Sequence, residues 1–157
     1  MSHTASQPQR LGQGFYWQDL RVGQAFTTFR RTVTETDLVN FINCTGMLEA
    51  IFIEDGFAGA AIGGRAVPAA LTYALIEGFI LQSMIQGTGL AMLELQQKIH
   101  GPVRVGDTIG AEIVITGIRP TSKHQRAVVT SDIRVLNQHD DCVMTYTATR
   151  LLAGRPS

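Results

Sequence analysis

The residues of this 157-residue chain that can move a proton or attack a carbonyl are few and scattered. Glu49 and Glu54 stand five positions apart in a stretch that becomes rich in glycine and alanine, and Glu77 lies inside a long apolar run. A carboxyl packed against an apolar helix has its charged form desolvated, which raises its pKa and makes an acid of it near neutral pH. Glu49 and Glu54 are therefore candidates for proton transfer, the alternative being two solvated loop carboxylates. His100 precedes a Gly-Pro turn, His124 sits in R-P-T-S-K-H-Q, and His139 in Q-H-D-D. None has metal-ligand spacing with another His or Cys, so no metal is expected. Arg104, Arg119, Lys123 and Arg126, all beside turns, are candidates for phosphate contacts.

The element that must position these groups is the stretch from Gly63 to Gln86, read as one long helix of roughly 30 Å. Pro68 suits a first helical position, and Gly87 suits the stop. Its polar residues, Thr72, Tyr73, Glu77, Gln82, Ser83 and Gln86, are scattered round the wheel, so the helix is expected to be covered on most sides. The apolar part from Ala66 to Leu81 is too short for a membrane span and carries Glu77. Upstream, Gln24 to Val33 reads as a strand, and T-E-T-D from Thr34 as a capping-box start for an amphipathic helix ending at Gly46. Met47 to Arg65 is irregular and long for a structureless connection, and loops of this length are often functional, the alternative being a merely mobile loop. Downstream, four strands are expected over Leu90–Ile99, Thr108–Ile118, Arg126–Leu136 and Cys142–Leu152, joined by antiparallel hairpin turns.

Strands segregated from helices imply an α+β domain in which an antiparallel sheet curls round one buried helix. One domain is expected over residues 15–157, after a polar, disordered lead at 1–14. Thirteen basic and thirteen acidic residues cancel without a block of like charge, which speaks against nucleic acid and membrane surfaces and for a small partner. The N-terminus lacks an apolar signal region, so the cytoplasm is the expected compartment and Cys44 and Cys142 are expected as free thiols.

This order and four segments together resemble the MaoC-like dehydratases, a family of hot-dog fold. The segments are R-T-V-T-E-T-D-L-V-N-F-I-N-C-T-G at Arg31–Gly46, G-G-R-A-V-P-A-A-L-T at Gly63–Thr72, G-P-V-R-V-G-D-T-I at Gly101–Ile109, and the Asn137-Gln138 turn. The resemblance implies a curved antiparallel sheet round a long central helix. It implies as substrate an acyl thioester of coenzyme A or acyl carrier protein, hydrated or dehydrated next to the carbonyl, with no further cofactor. It also implies a homodimer or higher homo-oligomer.

The family's segment T-G-D-x-N-P-x-H-x-D carries a catalytic Asp and His. Laid on this chain without gaps, Thr45 and Gly46 match, while the Asp position holds Met47 and the His position Phe52. Glu49 falls at the Asn position, Ala50 at the Pro position and Glu54 at the final Asp. Met and Phe cannot exchange protons, so Glu49 and Glu54, with the family's five-residue separation, are the expected substitutes. The family's A-H-G is replaced by Val67, Pro68 and Ala69, so Ala69 supplies the main-chain N–H toward the thioester carbonyl, with Ala70, Gly64 and Phe52 as further substrate contacts. The expected activity is a hydratase or dehydratase of divergent type. A thioesterase built on Glu49 or Glu77, as in other hot-dog enzymes, and a catalytically silent thioester-binding subunit are the alternatives.

Overall fold

In the computed structural model, which describes residues 8 and 10–156, Thr34 adopts an extended conformation at the head of the first helix. Its hydroxyl accepts the Asp37 N–H, and the Asp37 carboxylate accepts the Thr34 N–H at 2.9 Å. That reciprocal cap opens α1, Glu35–Thr45, which closes at Gly46 in the left-handed region at φ 73°. Leu38 and Ile42 are the buried side chains of α1.

The strand expected over Gln24–Val33 is instead two short ones, β1 (Ala25–Thr27) and β2 (Arg31–Thr32), both antiparallel to β4 (Thr108–Pro120). Thr28 causes the break, because its hydroxyl takes the Ala111 N–H at 2.8 Å in place of a ladder carbonyl. The remaining strands are β3 (Gly89–Ile99), β5 (Ala127–Leu136) and β6 (Cys142–Leu152). They order as β1-β4-β5-β6-β3, with β4–β5, β5–β6 and β6–β3 all antiparallel.

Met47–Arg65 holds one helical turn of its own, α2 (Ala50–Ile53). The central helix α3 runs Ala69–Ser83, about 22 Å, shorter than the expected Gly63–Gln86 stretch: it starts one residue after Pro68 and ends three before Gln86. Gly64 at φ 79° leaves the helical region, and the Val67 N–H bonds the Val103 carbonyl at 2.9 Å in an extended pairing. Pro68 is accordingly the N-cap, with φ −53° and ψ 134°, rather than the first helical residue.

The inward side chains of the sheet pack on α3 to make the core, with Leu71, Ile76, Phe79 and Ile80 of the helix against Ile113, Val129, Ile133, Met144 and Ala148. This is the α+β arrangement of a hot-dog fold, an antiparallel sheet laid on one central helix. Cover is incomplete on one side: Ala69, Ala70, Ala74, Leu81, Gln82 and Ser83 are exposed, so the helix does have an open stripe. Beside it, every residue of the edge strand β3 is exposed, Leu90, Met92, Leu93, Leu95 and Ile99 included.

At the far end of α3, the Gly14 and Phe15 N–H groups bond the Gln86 and Met84 carbonyls at 2.8 and 2.7 Å. A Cβ on Gly14 would collide with the backbone of Ile85 and Gln86, which is why glycine stands there. Residues 1–7 and 9 of the expected lead lie outside the described residues. Among the described residues no helix is long and apolar enough to cross a membrane, and Cys44 and Cys142 are free thiols.

Candidate functional site

Two places carry chemistry, and both are set by α3. At its start, Pro68 offers no side chain to cap the helix, and the Leu71 and Thr72 N–H groups turn back to the Pro68 carbonyl at 2.9 and 3.2 Å. The Ala69 and Ala70 N–H groups have no acceptor among the described residues, and both residues are exposed. Two free donors at the positive end of a helix dipole can hold charge developing on a carbonyl oxygen. Beside them Val67, Thr72, Pro102, Val103 and Met144 line a recess of ≈ 60 Å³, room for about two waters.

The Met47–Arg65 segment is tied to this end by Arg65. Its Nε donates to the Phe52 carbonyl at 2.9 Å, and its Nη1 pairs with Glu35 at the head of α1. Phe52 is thereby fastened to a residue three positions before the α3 cap, and Phe52 itself is half-buried. Arg104 holds the same segment from the other side, its Nε donating to the Gly63 carbonyl at 2.6 Å, so this arginine is a strut. Gly64 lies against the Arg104 side chain at φ 79°, where a Cβ would be both strained and crowded.

Glu49 is exposed and caps α2, its Oε1 accepting the Ala50 N–H at 3.0 Å. Glu54 is the exposed C-cap of the same turn, so the two carboxylates bracket one turn of helix. Met47 is 38% exposed. Arg119 and Arg126 flank the β4–β5 turn and Lys123 lies within it. His100 Nε2 and the Thr145 hydroxyl stand 2.8 Å apart on the outer face, and the His139 N–H caps onto Asn137 Oδ1 at 2.9 Å. No cluster of three or more His, Cys, Asp or Glu fit for a metal ion occurs among the described residues.

The second place lies two turns along α3. Glu77, 8% exposed, receives the Tyr146 hydroxyl at 2.8 Å and Arg150 Nη2 at 2.5 Å on the same oxygen, Oε1. Arg150 is 6% exposed, and the Tyr73 ring meets the Tyr146 ring edge-on at 5.3 Å between centroids. Burial, and then the Glu77 charge, raises the hydroxyl pKa of both tyrosines above the usual 10, with Arg150 opposing. Of this group only Glu77 and Tyr73 attract notice in the sequence. Arg150 and Tyr146 sit 73 and 69 positions from Glu77, and their one signal is an Arg at an inward place of the alternating β6.

Comparison with known proteins places residues 21–146 in a match to the family described as "FAS1-like, dehydratase domain region". An (R)-specific enoyl-CoA hydratase of Rhodospirillum rubrum is 23% identical over 108 residues, 69% of this chain and 74% of the relative. Among solved structures, the MaoC-like dehydratase from Rhodospirillum rubrum superposes with a TM-score of 0.82 at 24% identity, covering 92% of this chain and 100% of the other. A Mycobacterium tuberculosis protein described as having a double hotdog fold gives a TM-score of 0.83 at 18% identity, covering 94% of this chain and 46% of the other.

Proposed function

The chain belongs to the FAS1-like dehydratase region family of MaoC-like hot-dog proteins, and from that membership we propose that it adds water to, or removes it from, the α,β bond of an acyl-CoA or acyl-carrier thioester. The observation that carries the reading is the start of α3, where the Ala69 and Ala70 N–H groups are free and exposed beside the tethered Met47–Arg65 segment. In hydration a base takes a proton from water as its oxygen joins the β-carbon, and the π electrons move to the thioester oxygen. That enolate oxygen lodges against the two N–H groups until a proton reaches the α-carbon. Glu49, at the head of α2, is the base of this reading, with Glu54 at the other end of the turn. The places the family gives to Asp and His hold Met47 and Phe52 in the ungapped alignment.

Those two residues favour a second reading, a silent subunit that binds a thioester without turning it over, since neither side chain exchanges protons. The open edge of β3 supports a homodimer in either reading, because eleven exposed residues with unpaired backbone groups can continue the sheet into a second copy. One assay separates the readings. The protein is incubated with crotonyl-CoA, and loss of the conjugated absorbance and release of free thiol are followed together. Hydratase activity removes the first without the second, and E49Q lowers that rate at least tenfold. Thiol release points to a thioesterase, and neither signal with ligand-induced stabilisation points to the silent subunit.

A further inference from the structure

Adding or removing water passes one proton at oxygen and another at carbon. Glu49 is the group for oxygen, but the recess beside the Ala69 N–H is lined without a titratable side chain that could serve the carbon. A carboxylate with a spare oxygen stands further along α3. The Tyr146 hydroxyl and Arg150 both donate to Glu77 Oε1, and Oε2 has no partner among the described residues. Glu77 lines a pocket of ≈ 320 Å³ between α3 and β3, walled by Tyr73, Leu81, Leu90 and Met92. An ion pair buried beneath apolar walls gives little net stability, so the core alone does not account for it.

The open β3 edge decides what that pocket meets in a dimer. A two-fold axis perpendicular to the sheet pairs two β3 edges antiparallel and keeps both central helices on one side. Centred on Gln96, the pairing sets Glu94 opposite the partner's Lys98, and the reverse; centred on Glu94 or on Lys98, it sets like charges face to face. The Gln96 register places Leu93 opposite the partner's Ile99 and carries Met92 and Leu90 toward the segment that follows it. Leu90 and Met92 wall the Glu77 pocket, and Ile99 and Pro102 line the recess beside the Ala69 N–H. Pairing therefore joins the Glu77 pocket of each copy to the thioester recess of the other.

We propose that Glu77 is the base at the α-carbon for the site of the partner subunit, an inference that rests on the hydratase reading. In the dehydration direction Glu77 Oε2 takes the α-proton, and the C–H electrons move onto the thioester oxygen held by the partner's Ala69 and the partner's Ala70 N–H groups. Those electrons return to form the α,β double bond as the β-hydroxyl leaves as water with a proton from the partner's Glu49. The proton on Glu77 passes back to that carboxylate through solvent, and hydration runs the same steps in reverse. Arg150 and Tyr146, both on Oε1, aim the free oxygen, and Leu81, Leu90 and Met92 take the acyl chain.

Mixed dimers test this. A69P removes the N–H and keeps Glu77, whereas E77L/R150M removes Glu77 and keeps the N–H. Each alone loses roughly a hundredfold or more in crotonyl-CoA hydration. Co-expressed in equal amounts they recover about a quarter of the parent rate, because half of the dimers are mixed and each of those has one intact site. The register is read without turnover: on a C44S/C142S background, mild oxidation links L95C/Q97C into a covalent dimer and leaves L95C alone unlinked, since Leu95 faces the partner's Gln97 at disulfide distance. A parent that turns over no thioester overturns the hydratase reading and this inference with it. An active parent whose mixture recovers nothing, an E77L/R150M chain at the parent rate, a covalent dimer of L95C alone, or no link in L95C/Q97C overturns this inference and leaves that reading standing.

Discussion

The Tyr146 hydroxyl reaches from β6 to Glu77 Oε1 on α3 over 2.8 Å, on the same oxygen that receives Arg150. Removing Glu77 alone strands a buried guanidinium. Glu77→Ala is expected to destabilise the fold by about 3–5 kcal/mol, and Glu77→Leu combined with Arg150→Met to recover most of that loss. Urea unfolding of the two variants beside the parent measures both.

Alkaline pH probes the same cluster. Burial, then the Glu77 charge and hydrogen bond, hold the folded-state pKa of Tyr146 above its unfolded value of 10. The folded chain keeps the proton where the unfolded chain loses it, so this stabilisation is complete below pH 10 and disappears as pH rises beyond it. Tyr146→Phe should flatten that decline in an unfolding series from pH 9 to 11.

At the acid end Asp37 works in the opposite sense. Partial burial raises its pKa, but hydrogen bonds from the Thr34 N–H and hydroxyl and the charge of Arg31 outweigh it, leaving the pKa below 3.8. The cap's electrostatic contribution is present above that value and is lost as pH falls through the lowered pKa. Asp37→Asn should unfold with a shallower acid limb, and Thr34→Ala should cost about 1 kcal/mol at pH 7, both read by circular dichroism.

Ala69→Pro isolates one main-chain donor. Proline fits a first helical residue, and Pro68 at ψ 134° already has the backbone that a following proline requires. The helix should keep its Tm while the N–H toward the thioester oxygen is gone. Under the hydratase reading kcat falls about a hundredfold with little change in KM; unchanged kcat removes Ala69 from the site.

The β3 edge gives an assembly prediction. Leu93 and Leu95 are exposed on it. Replacing both with Glu places like charges against each other in an antiparallel pairing of two copies. Sedimentation velocity should report two chains for the parent and one for L93E/L95E.

Local chemistry explains what could be read in advance. The Thr34–Asp37 box, the Gly46 stop and the positions of the last four strands rest on neighbours within a few residues, and each lies where the sequence indicates, although β3 is exposed along its whole length where alternation implies one buried face. Glycines and Pro68 signal the opening of α3 without saying which residue caps it. The break between β1 and β2 depends on Ala111, 83 positions from Thr28, and leaves no local mark in the sequence. The Glu77–Arg150 pair was out of reach for the same reason: no periodicity joins residues 73 apart. Carboxyl chemistry and resemblance together single out Glu49, resemblance alone singles out Ala69, and the fold adds the free N–H groups and the Arg65 tether around them.

Of the eleven residues on β3, only Glu94 and Lys98 are charged, and the rest combine Leu, Met and Ile with two glutamines and small residues. Such a row is a template for cross-β stacking whenever it stands uncovered. Precipitation on heating or storage should therefore nucleate there, with Glu94 and Lys98 as its gatekeepers, and neutralising Lys98 should hasten the appearance of fibrils.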